Sequence, residues 1–251
     1  MVVFGGSYAG MMATWMRMKY PNVVDMAHAA SAPIYYYRNR KNFDIGSFYQ
    51  IVTSNYAKHN ANCPNVIREA FKRLLAYSQS SKAPIADLSK WFNTCKPIKI
   101  YKDISLLMDY IDTAYSYLAM INYPYPTAFL KNVTAWPANS SCIPLDSVTP
   151  SSSDSELFTA LRQSIEYYYS FNKTACNDIY DDGSASDDDM SGWDILACGD
   201  QAMPMSTDGV KDMFYPNGFD EGAYSDFCYD TFKIRPDYDF TLNHFGGVTD
   251  K

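Results

Sequence analysis

The sequence has no Cys-x-x-Cys pair and no histidine at zinc-ligand spacing from a cysteine, which argues against a metal site, and no cofactor is expected. Cationic residues are in the minority. Lys and Arg number 21 against 28 Asp and Glu, giving a formal charge of −7. That balance argues against nucleic acid, where phosphate binding needs clustered Lys and Arg, and against docking on anionic lipid. No apolar run approaches the roughly 20 residues of a membrane span. A secretory leader is missing as well: Met1 runs straight into Val2-Val3-Phe4-Gly5 with neither a basic region nor an apolar stretch of the required length.

Apolar side chains are plentiful, at 47% of the sequence, and 22 tyrosines raise the aromatic share to 16%. The six cysteines are widely spaced, at 63, 95, 142, 176, 198 and 228. An even count of this kind fits disulfides formed in an oxidising compartment, with fifteen pairings open to six cysteines. Three Asn-x-Ser/Thr sequons, at Asn132, Asn139 and Asn172, point to the same secretory route as glycosylation sites. Marks of secretion without a leader lead to the expectation that the chain is a fragment whose N-terminus lies elsewhere.

Along the chain, Val2-Val3-Phe4 reads as a short buried strand entering a glycine-rich turn. Ala9 to Tyr20 reads as a helix stopped by Pro21, and Val23 to Ile34 as a second buried strand running into a loop. Strand, turn, helix and strand in this order form a βαβ unit, which implies a parallel sheet. Helical patterns follow. One opens at Pro64 with Ile67, Phe71, Leu74 and Leu75, a short one spans Ala86 to Cys95, and a long one has Asp103 as its cap. Ser153-x-x-Glu156 is a capping box ahead of Leu157, Leu161, Ile165 and Tyr168. Tyr123 to Pro126, Thr149 to Ser153 and the aspartate-rich Asp181 to Asp189 read as loops. The last lacks the alternating ligands and closing Glu of a calcium loop. Two parallel strands cannot cover themselves, a second sign of an incomplete chain.

The chemistry concentrates at Gly5-Gly6-Ser7-Tyr8-Ala9-Gly10, between strand and helix. This is the setting of a nucleophile elbow, Gly-x-Ser-x-Gly, with Ala9 in the place of the last glycine. Ser7 would be the nucleophile, and the Tyr8 backbone N–H would face the developing oxyanion. On the short motif alone, a glycine-rich turn with an idle serine stays open. A phosphate loop does not, because no Gly-Lys-Ser/Thr follows.

Longer stretches carry a resemblance. Gly5 to Met11, Trp15 to Pro21 and Ala29 to Ile34 resemble the elbow region of the prolyl carboxypeptidase / dipeptidyl peptidase II family of serine exopeptidases. Tyr123 to Pro126, Phe129-Leu130, Ala135-Trp136-Pro137, Gly192-Trp193-Asp194, Ala197-Cys198, Met203-Pro204 and Asp212-Met213-Phe214 continue it. Phe219-Asp220, Cys228, Arg235-Pro236 and Gly246-Gly247 carry it almost to the end. The resemblance implies an α/β fold: a partial α/β-hydrolase core at 1–39 with the elbow, a large mostly helical insertion at 40–215, and a return segment at 216–251. It implies acyl transfer on peptides with proline or a small residue near a terminus.

It also places Met11, Trp193 and Met203 around an apolar proline pocket. Asp194, directly after Trp193, becomes an anchor for a substrate α-ammonium group, which favours dipeptidyl peptidase over carboxypeptidase. Ordinary packing is the competing reading for the two methionines and the tryptophan, and a surface carboxylate or helix cap for Asp194. The implied disulfides are Cys63–Cys142, Cys95–Cys176 and Cys198–Cys228, with Met205 where a further cysteine often stands. The implied location is lysosomal or extracellular. Peptides are the implied partners, and a homodimer is left open.

The family's catalytic Asp and His fall beyond the segment resembling Gly246-Gly247. None of His28, His59 and His244 stands in the matching context. The expectation is that this chain alone is inactive. A short inactive paralogue acting as a binding or decoy protein competes with that reading. An esterase sharing only the elbow ranks last, because it leaves the later matches unexplained.

Overall fold

The computed structural model describes residues 1–37, 42–80, 84–128, 131–169, 176–180 and 187–246. The chain opens with strand β1 (Val2–Gly6), helix α1 (Tyr8–Lys19) and strand β2 (Met26–Ala30). Helices α2 (Ser47–Ala57), α3 (Asn62–Gln79), α4 (Ile85–Trp91) and α5 (Tyr101–Met120) follow. After α6 (Pro137–Cys142) and a 3-10 turn (Ile143–Ser147) come α7 (Asp154–Tyr169), α8 (Asp187–Cys198), α9 (Glu221–Phe232) and α10 (Phe240–Phe245). Two compact units result. One comprises residues 1–45, 185–204 and 219–251, the other 46–184 and 205–218.

In the first unit β1 and β2 pair in parallel, from Val2 opposite Met26 to Gly6 opposite Ala30. The expected burial of these strands is corrected. Phe4 is 75% exposed and Met26 64%. The pair is two strands wide, and α1 packs along it, so residues on the outward pleat meet solvent. The second strand is also shorter than its apolar run. Val24 is buried beside it, but the ladder starts at Met26.

The second unit is helical because its apolar side chains recur every three to four residues on three helices. Val66, Ile67, Ala70, Phe71 and Leu74 of α3 meet Ile104, Leu107, Ile111, Ala114 and Leu118 of α5, and Leu157, Phe158, Leu161 and Ile165 of α7, in one buried core. Tyrosines tie these helices together with their polar tips. Tyr56 O–H donates to the Tyr115 carbonyl at 2.7 Å, Tyr115 O–H to Ser164 Oγ at 2.8 Å, and Tyr169 O–H to the Tyr110 carbonyl at 2.8 Å. The capping box forms as its sequence specifies: Ser153 N–H donates to Glu156 Oε2 at 2.9 Å and Glu156 N–H to Ser153 Oγ at 3.4 Å. Asp103 acts from inside its helix instead of preceding it. Its Oδ2 accepts the Lys99 and Ile100 N–H groups at 2.8 and 3.1 Å.

A carboxylate cluster lies where residues 205–218 pack on α5. Asp109 Oδ1 accepts from Tyr215 O–H at 2.7 Å, and Asp112 Oδ1 from Ser116 O–H at 2.8 Å. Burial pushes the Asp112 carboxyl up to about 7, opposed by hydrogen bonds from Ser116 and Tyr49 and reinforced by the charges of Asp109 and Asp212.

Disulfides join Cys63 to Cys142, Cys95 to Cys176 and Cys198 to Cys228, the pairing that the resemblance implies. Asn132 is exposed and Asn139 lies partly buried in α6, while Asn172, Phe129, Leu130 and Gly247 lie outside the described residues. The aspartate-rich loop is corrected at its end: Asp187 already opens α8, where acidic residues favour a helix N-terminus, and 181–186 lie outside the described residues. Among the described residues no helix is long and apolar enough to cross a membrane.

Candidate active site

The site begins with close packing of backbone. Ser7 lies between β1 and α1 with φ 55° and ψ −127°, a region that non-glycine residues occupy only under constraint. Three hydrogen bonds supply that constraint. Ser7 N–H donates to the Ala30 carbonyl at 2.9 Å, and the Ser7 carbonyl accepts the Gly10 and Met11 N–H groups at 3.0 and 3.2 Å. The two glycines that matter are Gly5 and Gly10. A Cβ on Gly5 would collide with the Ala9 carbonyl and stand 2.7 Å from Gly10 N. One on Gly10 would stand 3.0 Å from both Ala32 Cβ and Gly5 O. Gly6 has no such need, since its nearest neighbour would be 3.9 Å away. The methyl group of Ala9 sits on an exposed position, which is why the motif tolerates alanine there.

Ser7 is exposed, and its side chain makes no capping hydrogen bond. The Tyr8 N–H is the first of α1 and so has no acceptor within the helix. A donor left free beside an exposed serine is the arrangement an oxyanion hole requires.

Around this turn the first unit gathers side chains from distant parts of the sequence. Met11 and Tyr37 are buried together with Leu242, and Tyr8, Trp15 and Ile34 pack on them. The Trp193 ring meets the Tyr8 ring edge-on at 5.8 Å, and Trp15 meets Tyr8 from another side at 6.2 Å. Burial raises the Tyr8 phenol above its usual range, and the charge of Asp200 raises it further.

Of the expected pocket residues, Met11 and Trp193 are thus brought to the elbow, on Tyr37 and Tyr8 respectively. Met203 is partly buried in the segment after α8. Asp194 is partly buried and faces Tyr224, whose phenol is raised by burial and then by the Asp194 charge.

Sequence reasoning missed Tyr37, Asp200 and Gln201. Tyr37 O–H donates to Gln201 Oε1 at 3.3 Å and lies 4.0 Å from Met11 Sδ. Nothing local marks them: Tyr37 ends a run of three tyrosines, and Gln201 is a lone polar residue before Ala202-Met203.

Each of the three histidines has a partner other than Ser7. His28 stands opposite Phe4 in the ladder with ring centroids 5.6 Å apart, and His244 packs on Phe240 at 4.3 Å. His59 belongs to the second unit, where it pairs with Asp146 at 3.4 Å. None of the hydrogen bonds formed among the described residues links an imidazole to Ser7.

The profile of one family, serine carboxypeptidase S28, matches residues 1–250. The chain is 34% identical over 247 residues to the lysosomal Pro-X carboxypeptidase of Pongo abelii, covering 98% of this chain and 48% of that protein. The lysosomal Pro-X carboxypeptidase of Mus musculus is also 34% identical, over 98% of this chain and 49% of its own length. The prolyl carboxy peptidase like protein 5 of Caenorhabditis elegans is 31% identical over 245 residues, 92% of this chain and 46% of that protein. The chain spans about half the length of the curated relatives it matches.

Proposed function

The chain belongs to the serine carboxypeptidase S28 family, and from that premise we propose that Ser7 is the nucleophile of a serine exopeptidase that cuts peptides beside proline. The observation that carries this reading is the Ser7 backbone, held at φ 55° between β1 and α1 by packing that leaves no room for a Cβ at Gly5 or Gly10. A fold maintains such strain where the side chain must be presented. Ser7 Oγ attacks the scissile carbonyl while its proton passes to a base. The Tyr8 N–H meets the oxyanion, the C–N bond breaks as the amine leaves with the proton held by the base, and water then hydrolyses the acyl-enzyme to the free acid and Ser7. The apolar faces of Met11 and Trp193 receive the proline ring.

Removal of a C-terminal residue after proline is the specificity we favour, because the relatives at 34% identity are named for it. A dipeptidyl peptidase reading is favoured by one observation, a carboxylate at Asp194 directly after Trp193 in the sequence, suited to a free α-ammonium group. We further propose that the second unit is the helical insertion of an α/β-hydrolase. The relatives' names and the three disulfides support a secretory route ending in the lysosome.

Because none of His28, His59 and His244 is hydrogen-bonded to Ser7 among the described residues, this chain by itself is proposed to lack turnover. The test uses the protein purified from its source and the 251-residue chain side by side. Separate portions of each are either treated with an organophosphonate label or, unlabelled, offered an N-blocked Pro-Xaa peptide or a free-amine Xaa-Pro anilide. Label on the Ser7 peptide of the native protein, with cleavage of the first substrate, is the expected result. Cleavage of the anilide alone selects the dipeptidyl reading. Absence of label at Ser7 overturns the assignment.

A further inference from the structure

The helical unit exposes a patch of aromatic rings. Tyr123, Tyr125 and Trp136 are 43%, 58% and 48% exposed. One folded-back loop gathers them. Trp136 N–H donates to the Tyr123 carbonyl at 2.8 Å, and further out Thr127 and Val133 exchange N–H to carbonyl bonds at 3.2 and 2.9 Å. The Tyr123 and Tyr125 rings stack at 5.6 Å with 13° between their planes. Pro124 and Pro126 fix φ on either side of Tyr125, so the loop has little backbone freedom left to lose. Trp136 holds a left-handed backbone, φ 50° and ψ 54°, directly before Pro137. A bulky residue keeps that conformation only where its surroundings impose it, and a residue before proline is steered towards extended backbone. The fold thus maintains a strained turn that leaves an indole half in water, although burying it would lower the free energy.

The same loop carries the sequon Asn132-Val133-Thr134. Asn132 is exposed, and it adjoins Val133, whose bridge partner Thr127 is two residues from Tyr125. The neighbouring sequon is packed away. Asn139 is partly buried in α6, Ser141 is fully buried with its hydroxyl on the Ala138 carbonyl at 3.0 Å, and Cys142 follows in a disulfide. We propose that Asn132 carries an N-linked glycan whose inner sugars lie over Tyr123, Tyr125 and Trp136, so that carbohydrate is the cover of this aromatic patch. One face of a hexose offers only C–H groups, which suit the electron-rich face of an aromatic ring, and the hydroxyls at its rim stay in water. Such an occupant removes apolar surface from solvent without presenting new apolar surface outwards. The covalent tether makes the contact intramolecular, so a weak attraction between faces is enough. A glycan here requires the secretory route proposed above.

The test uses the protein purified from its source. Enzymatic glycan release in heavy-oxygen water, followed by peptide mapping, marks each occupied asparagine. Hydroxyl-radical labelling of the folded protein before and after release reads the exposure of the three rings. Tyr101, 43% exposed at the opposite end of α5, is the internal standard. Asn132 should be occupied, and labelling of Tyr123, Tyr125 and Trp136 should rise roughly twofold on release while Tyr101 stays level, since a sugar covers one of two ring faces. Asn132→Gln, secreted from the same cells, should show the raised labelling without enzyme treatment, with an unchanged Tyr101 value certifying its fold. An unoccupied Asn132 beside a glycan on Asn139 or Asn172 overturns the inference while the secretory route stands. Glycan at none of the three overturns it too, and free thiols at the six cysteines would take the secretory route down with it. Labelling that release leaves unchanged overturns it from either side: high values mean that the glycan points away, and low values mean that protein covers the rings.

Discussion

Raising the pH should loosen the helical unit through a single carboxyl group, Asp112. In the unfolded chain an aspartate titrates near 3.9. In the folded chain burial holds Asp112 at about 7, with Asp109 and Asp212 adding repulsion and Ser116 and Tyr49 opposing it. The native state therefore binds the Asp112 proton more tightly, and between about pH 4 and 7 it carries more protons than the unfolded state. Stability from this group is present below that window and lost as pH climbs through it. A roughly thousandfold difference in proton affinity corresponds to about 4 kcal/mol. Asp112 is only partly buried, and water screening brings the expected loss to about 2 kcal/mol. In a chain of this size that is a fall of roughly 4–8 °C in unfolding midpoint between pH 4 and 8. The comparison is with Asp112→Asn, whose amide oxygen still accepts from Ser116. Its midpoint should change less over the same range, and hydrogen exchange along α5 should report the same difference locally. Parallel pH curves for the two proteins would refute the argument.

Gly5→Ala should destabilise the first unit by roughly 2 kcal/mol or more, because the added methyl meets backbone, whereas Gly6→Ala, with its nearest neighbour 3.9 Å off, should stay within about 0.5 kcal/mol in denaturant titrations. Ser7→Gly should stabilise by about 1 kcal/mol by releasing the positive φ, and no acyl-enzyme should form in any assembly carrying it. Arg73→Ala removes pairs with Glu69 and Asp154 and a bond to the Pro150 carbonyl, so a loss of roughly 1–3 kcal/mol is expected, read from the midpoint of the second unit.

What could be read in the sequence was what neighbours along the chain decide. The Ser153 and Glu156 box, the stripe from Ile104 to Leu118 and the strand-turn-helix around Ser7 each depend on contacts within a few residues, and each formed. Strand burial failed because it depends on what covers the pleat, which Val2 and Phe4 do not encode. Helix α2 was missed because Ile51, Val52 and Thr53 are β-branched and disguise its period, and α8 because the aspartates at its start read as the end of a loop. In the site, Ser7 and Met11 were legible through the elbow. Tyr37 and Gln201, 164 positions apart, meet only in the folded unit, and no local pattern pairs them.

The disulfides of the helical unit impose an order on its making. Cys63 closes on Cys142 and Cys95 on Cys176, across 79 and 81 positions, so the two loops interlock instead of nesting. As the polypeptide is synthesised from its N-terminus, Cys63 and Cys95 have both emerged before either native partner exists. Among the six cysteines of this sequence, the first bridge available to them is a wrong one with each other. Reaching the native pairs then requires exchange through mixed disulfides, a process of seconds to hours without help. A cell producing this unit in quantity would depend on its disulfide isomerases more than on the intrinsic speed of a helical fold.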